Sequence, residues 1–83
     1  MKFFAEIDVM PHKEILDPQG KAVKLGLGNL GISQVNDVRI GKHIRLEIEA
    51  QDENAAREKV EVACKKLLAN LIMEEFTYKI TKG

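Results

Sequence analysis

The sequence predicts an α+β domain of order β-α-β-β-α-β, with two helices on one face of an antiparallel sheet. Three features carry this reading. Short segments alternate apolar and polar residues with period two, as half-buried strands do. Two intervening segments repeat apolar residues at helical spacing. Each of those begins at an aspartate suited to capping free helix amides.

The first strand is the clearest. Phe3, Ala5, Ile7 and Val9 alternate with Lys2, Phe4, Glu6 and Asp8, so one face is apolar. Pro11 interrupts the pattern because it has no N–H for a ladder. Asp17 then starts a helix, with Pro18 at the first helical position, where a missing N–H costs nothing. Ala22, Val23, Leu27 and Leu30 share one helical face, and Gly31 suits the left-handed position that ends a helix. Gly26 and Gly28 weaken this helix by about 1 kcal/mol each relative to alanine.

Alternation resumes through "VNDVRIGKHIRLEIEA". Ile44, Leu46 and Ile48 point one way, and His43, Arg45, Glu47 and Glu49 the other. Val38 and Ile40 alternate likewise before Gly41. Two geometries fit: a hairpin turning at Gly41–Lys42, or one long strand kinked at Gly41. Asp52 opens the second helix, whose apolar stripe is Ala56, Val60, Ala63, Cys64 and Leu67. Asn70 is its expected left-handed cap. Phe76, Tyr78 and Ile80 alternate in a last strand. This succession is the split βαβ pattern of ferredoxin-like folds.

Length and charge narrow the function classes. With 83 residues, a single domain spanning 1–83 is expected. A chain this short buries only about 60–65% of its unfolded surface, and self-association is a common remedy. Thirteen basic and thirteen acidic residues cancel, leaving no global field to draw nucleic acid or an anionic membrane. The apolar runs fall short of a membrane span, and acids interrupt the N-terminal stretch where a leader would be apolar. One cysteine, Cys64, excludes an internal disulfide; a reduced, cytoplasmic setting is expected.

One string suggests nucleotide chemistry. Residues 26–31, "GLGNLG", match Gly-x-Gly-x-x-Gly. A dinucleotide loop needs a strand before the glycines and a helix after, so that helix amides meet the pyrophosphate. Here the helix comes first, and its C-terminal carbonyls would repel phosphate. Gly20–Lys21 and Gly41–Lys42 lack the Ser or Thr and the upstream glycine of a phosphate loop. His12 and His43 stand in no metal-ligand spacing. Cys64 reads as a small buried hydrophobe, and Ser33 has no base marked out beside it. The outward acids Glu6, Asp8, Glu47 and Glu49 disfavour RNA on the open sheet face. No catalytic, cofactor or metal residue emerges. The residues alone point to an oligomeric adaptor or a small regulatory domain.

At "ILDPQGKAV", "VRIGKHIRLEIEA" and "KKLLAN" the chain resembles the PurS family, the small subunit of phosphoribosylformylglycinamidine synthase. The resemblance runs from the first strand to the last. Two positions depart from the common pattern: Leu71 stands where proline often follows the asparagine, and Glu14 where glycine is frequent. The resemblance implies a non-catalytic subunit of an ATP-dependent C–N ligase in purine biosynthesis. It implies a homodimer or higher homo-oligomer that bridges a glutaminase and a large synthetase subunit, with ATP and magnesium on the synthetase. Asp17, Pro18, Gly20, Arg39, Gly41 and Lys42 are then the candidate partner-interface residues. The alternative is a ferredoxin-like domain that binds a regulatory metabolite.

Overall fold

A computed structural model describes residues 1–83. The alternating segment at the start forms β1 (Lys2–Pro11), and Phe3, Ala5, Ile7 and Val9 are all buried. β1 is the central strand of a three-stranded antiparallel sheet, flanked by β2 (Lys42–Glu49) and β3 (Glu74–Lys82). The register sets like against like. Ile7 lies between Ile44 and Tyr78, and Ala5 between Leu46 and Ile80. On the opposite face Glu6 lies between Arg45 and Lys79. One face is therefore an apolar floor and the other a lattice of charges.

The helix α2 (Glu53–Ala63) covers that floor. Asp52 caps it, accepting the Ala55 amide at 2.8 Å. Ala56, Val60 and Cys64 are fully buried, the last two against Ala5, Ile7 and Val9. The helix continues into a π-helical turn, Cys64–Leu68. This corrects two expectations. Leu67 is 81% exposed rather than part of the stripe, and Leu68 packs against the core instead. The wider π turn holds an extra residue and moves the apolar position on by one. Asn70 is not left-handed, for no residue other than glycine has positive φ. It builds a turn by hydrogen bonding: its side chain accepts from the Ile72 amide at 3.1 Å, and its carbonyl from Met73 and Glu74.

The helix α1 (Pro18–Asn29) begins and ends as its sequence predicts. Gly31 has φ 85°, and the amides of Gly31 and Ile32 return to the carbonyls of Gly28 and Leu27. These two bonds are the Schellman closure. Its placement differs from expectation. α1 does not lie on the sheet: Val23, Leu25 and Leu30 are exposed and Leu27 half-buried, and only Gly20 is buried. α2 occupies the apolar floor, and α1 is tied to the rest of the chain by its first turn and by Lys24, not by packing on the sheet.

The segment before Gly41 departs too. Residues 33–40 make no backbone–backbone hydrogen bonds, so the chain shows neither the hairpin nor the long kinked strand. β2 starts at Lys42 and pairs directly with β1. The α+β class and antiparallel pairing hold, with the single short strand β2 in place of either the expected hairpin or the longer kinked strand. The molecule measures 51 × 26 × 14 Å.

Candidate functional site

The residues singled out from sequence gather where the first turn of α1, the turn at 11–17 and the extended segment at 37–41 meet. Asp17 ties this junction. Its Oδ1 accepts the Gly20 amide at 2.9 Å, capping α1, and its Oδ2 accepts the Ile40 amide at 2.8 Å. Those two amides, Ile40 foremost, hold the carboxyl below its ordinary value. One side chain thus caps a helix and fastens a segment more than twenty residues away. The closeness of that contact explains Gly20: a Cβ there would run into the Val38 carbonyl oxygen.

Arg39 closes the other side. Its guanidinium donates to the carbonyls of Lys13 and Pro11 at 3.1 Å each, and to that of His12. Five fixed donors suit a fan of carbonyls in a tight turn. Gly41 sits where a Cβ would strike the Val9 carbonyl and the Met10 sulfur. Lys42 opens β2 opposite Val9, exposed and without a side-chain hydrogen bond or ion pair. Pro18 is exposed at the first position of α1. The structure therefore joins Asp17, Gly20 and Arg39 in one interlock, seats Gly41 separately against Val9 and Met10 of β1, and leaves the side chains of Pro18 and Lys42 open.

A cleft of about 380 Å³ lies over this interlock, lined by Glu14, Asp17, Lys21, Lys24, Asp37 and Arg39 among others. Its polar groups are committed or mutually cancelling. Lys24 donates to the Asn36 carbonyl at 2.8 Å, Arg39 serves three carbonyls, and both Asp17 oxygens are taken. Glu14 and Asp37 oppose an anion. "GLGNLG" contributes nothing here, since Gly26 and Gly28 lie in the last turns of α1. Cys64 is buried, and desolvation pushes its thiol up, which makes a poor nucleophile. No group of three or more His, Cys, Asp or Glu side chains is placed to hold a metal.

Two polar arrangements lay outside the sequence reading. His12 pins the turn after α2, with Nε2 3.1 Å from the Leu71 carbonyl and its amide donating to Met73. His43 lies between Asp8 and Glu6 on the open sheet face, with a ring nitrogen 2.7 Å from each carboxylate. Outward alternation marked these residues as exposed, but only the strand register brings them together.

Comparison with known proteins agrees along the whole chain. The sequence model of PurS, phosphoribosylformylglycinamidine (FGAM) synthase, matches residues 4–82. Phosphoribosylformylglycinamidine synthase subunit PurS of Synechocystis sp. is 42% identical over 79 residues, covering 95% of this chain and 79% of that protein. The same subunit from Methanocaldococcus jannaschii is 33% identical over 78 residues, covering 94% of each. A chain in the structure of PurLQS from Thermotoga maritima superposes with a TM-score of 0.88 at 33% identity, covering 98% of this chain and 99% of that one. Bacillus subtilis PurS superposes with a TM-score of 0.87 at 36% identity, covering 96% and 99%. By sequence and by fold, the chain belongs to the PurS family of phosphoribosylformylglycinamidine synthase subunits.

Proposed function

We propose that this chain is the bridging subunit of a phosphoribosylformylglycinamidine synthase in purine biosynthesis, holding the glutaminase and synthetase subunits together without contributing catalytic groups. The full-length likeness to a chain of the PurLQS structure carries this reading. On it, the glutaminase releases ammonia from glutamine; the synthetase, with ATP and magnesium, would phosphorylate the formylglycinamide amide oxygen, and ammonia would then displace that oxygen as phosphate. Ammonia released into water is diluted and protonated, so the two sites must be docked and closed to solvent. A small scaffold made rigid by the Asp17–Arg39 interlock is suited to hold that geometry.

Self-association belongs to the same proposal. The surface area is 6096 Å², against about 5,000 Å² for a compact chain of this mass. The excess is comparable to one partner's share of a standard interface, about 800 Å². Exposed apolar side chains Val23, Leu25, Leu30 and Ile32 follow α1 and the segment after it, where Leu25, Gly28, Ile32 and Val35 line a groove of about 510 Å³. The outer edge of β2 has no strand neighbour, and the extended segment 33–40 carries free backbone groups. Both needs are met if this region packs on a second copy. No helix is long and apolar enough to cross a membrane. A cytoplasmic setting, with no nucleic acid or membrane partner, completes the reading.

Reconstitution tests the bridging role. Purified glutaminase and synthetase subunits are assayed with formylglycinamide ribonucleotide and ATP, using either glutamine or ammonium as nitrogen donor. Omitting this chain should abolish glutamine-dependent product while leaving the ammonium-dependent reaction. Unchanged glutamine-dependent synthesis without the chain would overturn the proposal.

A further inference from the structure

The cluster around His43 is independent of the interlock and of the apolar surfaces. His43 stands directly across from Asp8, and Arg45 directly across from Glu6. The imidazole reaches both acids: Nδ1 lies 2.7 Å from Asp8 Oδ1 and Nε2 2.7 Å from Glu6 Oε1. Arg45 Nε donates to both Glu6 oxygens, at 2.8 and 3.1 Å. From β3, Lys79 and Thr77 are the residues opposite Glu6 and Asp8 on the other side of β1. The helix α2 packs on the opposite face and adds no charge here. An imidazole has one N–H when neutral and two when protonated. Two carboxylates at 2.7 Å are therefore both satisfied only by the imidazolium. In the neutral ring one nitrogen would turn a lone pair toward a carboxylate oxygen.

We propose that His43 is a proton-operated clamp between β1 and β2: protonated, it joins Asp8 and Glu6 across the strands; neutral, it releases one carboxylate to the open face. Both hydrogen bonds favour the charged ring, that to Asp8 first and that to Glu6 second, and hold the His43 pKa above its ordinary value. The sign follows. A histidine whose pKa is raised on folding contributes stability that is fully present below its unfolded value, about 6.5. That contribution is lost as pH rises through the folded value. Glu6 acts at the other end: His43 and then Arg45 hold its carboxyl below the ordinary value. Its share is present above about pH 4.5 and lost as pH falls further. The clamp is complete in the window between, and its loss on the alkaline side leaves the open face more negative next to Gly41, where the extended segment joins the sheet.

The test uses the full chain. The ring resonances of His43, assigned against the His43→Gln spectrum, are titrated by NMR, and the urea midpoint is followed from about pH 6 to pH 9. His43 should titrate above about 6.5. The wild-type midpoint should fall across that range relative to His43→Gln, and the gap should close at the alkaline end. Asp8→Asn gives an independent reading, since it should move the His43 titration downward whatever the fate of His43→Gln. A His43 titration at or below the ordinary value, or one unmoved by Asp8→Asn, would refute the clamp. So would parallel midpoint profiles for wild type and His43→Gln.

Discussion

Glycines with the same letter do different work in this chain. Gly20 and Gly26 both lie in α1, yet a Cβ at Gly20 meets the Val38 carbonyl, while one at Gly26 meets nothing within 4 Å. Helix propensity favours alanine at either site by about 1 kcal/mol. At Gly26 that gain is unopposed, so Gly26→Ala should stabilise the chain by about 0.5–1 kcal/mol. At Gly20 the backbone of the segment at 38 must give way, at a cost of about 1–3 kcal/mol that exceeds the gain. Gly20→Ala should therefore destabilise, and should also loosen the Asp17–Ile40 bond. Urea unfolding of the two variants checks both signs; equal effects would mean that the α1 contact yields without cost. Part of this was legible beforehand. Asp17, Pro18 and Gly31 act through residues within a few positions, so their capping roles could be read from the string. Arg39 could not be read that way, because its carbonyl partners lie 26 to 28 residues upstream and only the fold brings them near.

Periodicity made the strands and α2 legible at the level of elements, because burial on one face of a sheet forces the alternation seen in β1, β2 and β3. It failed where the backbone itself changes period. A regular 3.6-residue repeat carries the stripe from Val60 through Cys64 to Leu67, whereas the π turn gives the last inward position to Leu68. The substitution of side chains exposes the difference. Leu68→Ala removes packing against the core and should cost about 1–3 kcal/mol, less than a fully buried leucine because Leu68 is only half covered. Leu67→Ala, at a residue 81% exposed, should stay within about 0.5 kcal/mol. Chemical denaturation of the pair decides the register, and the opposite ranking would restore the uninterrupted helix. The strand expected through Val38 and Ile40 does not form, for a related reason. Alternation in Val38 and Ile40 describes an extended backbone, and an extended backbone becomes a strand only where another strand accepts its hydrogen bonds.

The same distinction governs the molecule as a whole. An apolar helix face says that something covers it, without saying that the cover comes from the same chain. The radius of gyration is 16.4 Å, against about 12 Å for a compact domain of this length. The extension comes from α1 and the segment after it, whose Leu25, Leu30 and Ile32 are exposed while α2 is packed on the sheet. If a second copy supplies the cover, folding and association are linked, and stability depends on concentration. For a dimer, each tenfold rise adds about 1.4 kcal/mol, which moves Tm upward by a few degrees. Light scattering should give a mass of at least twice 9.3 kDa. Ile32→Asp combined with Val35→Asp puts two carboxylates into the groove beside α1, where neither residue supports the sheet core. That variant should run as a single 9.3 kDa chain, with a lower Tm that no longer varies with concentration. A wild-type chain of monomer mass at every concentration tested, with a constant Tm, would rule out self-association and leave the α1 surface for the synthetase or glutaminase subunit. An associated double variant would instead move the self-contact away from this groove.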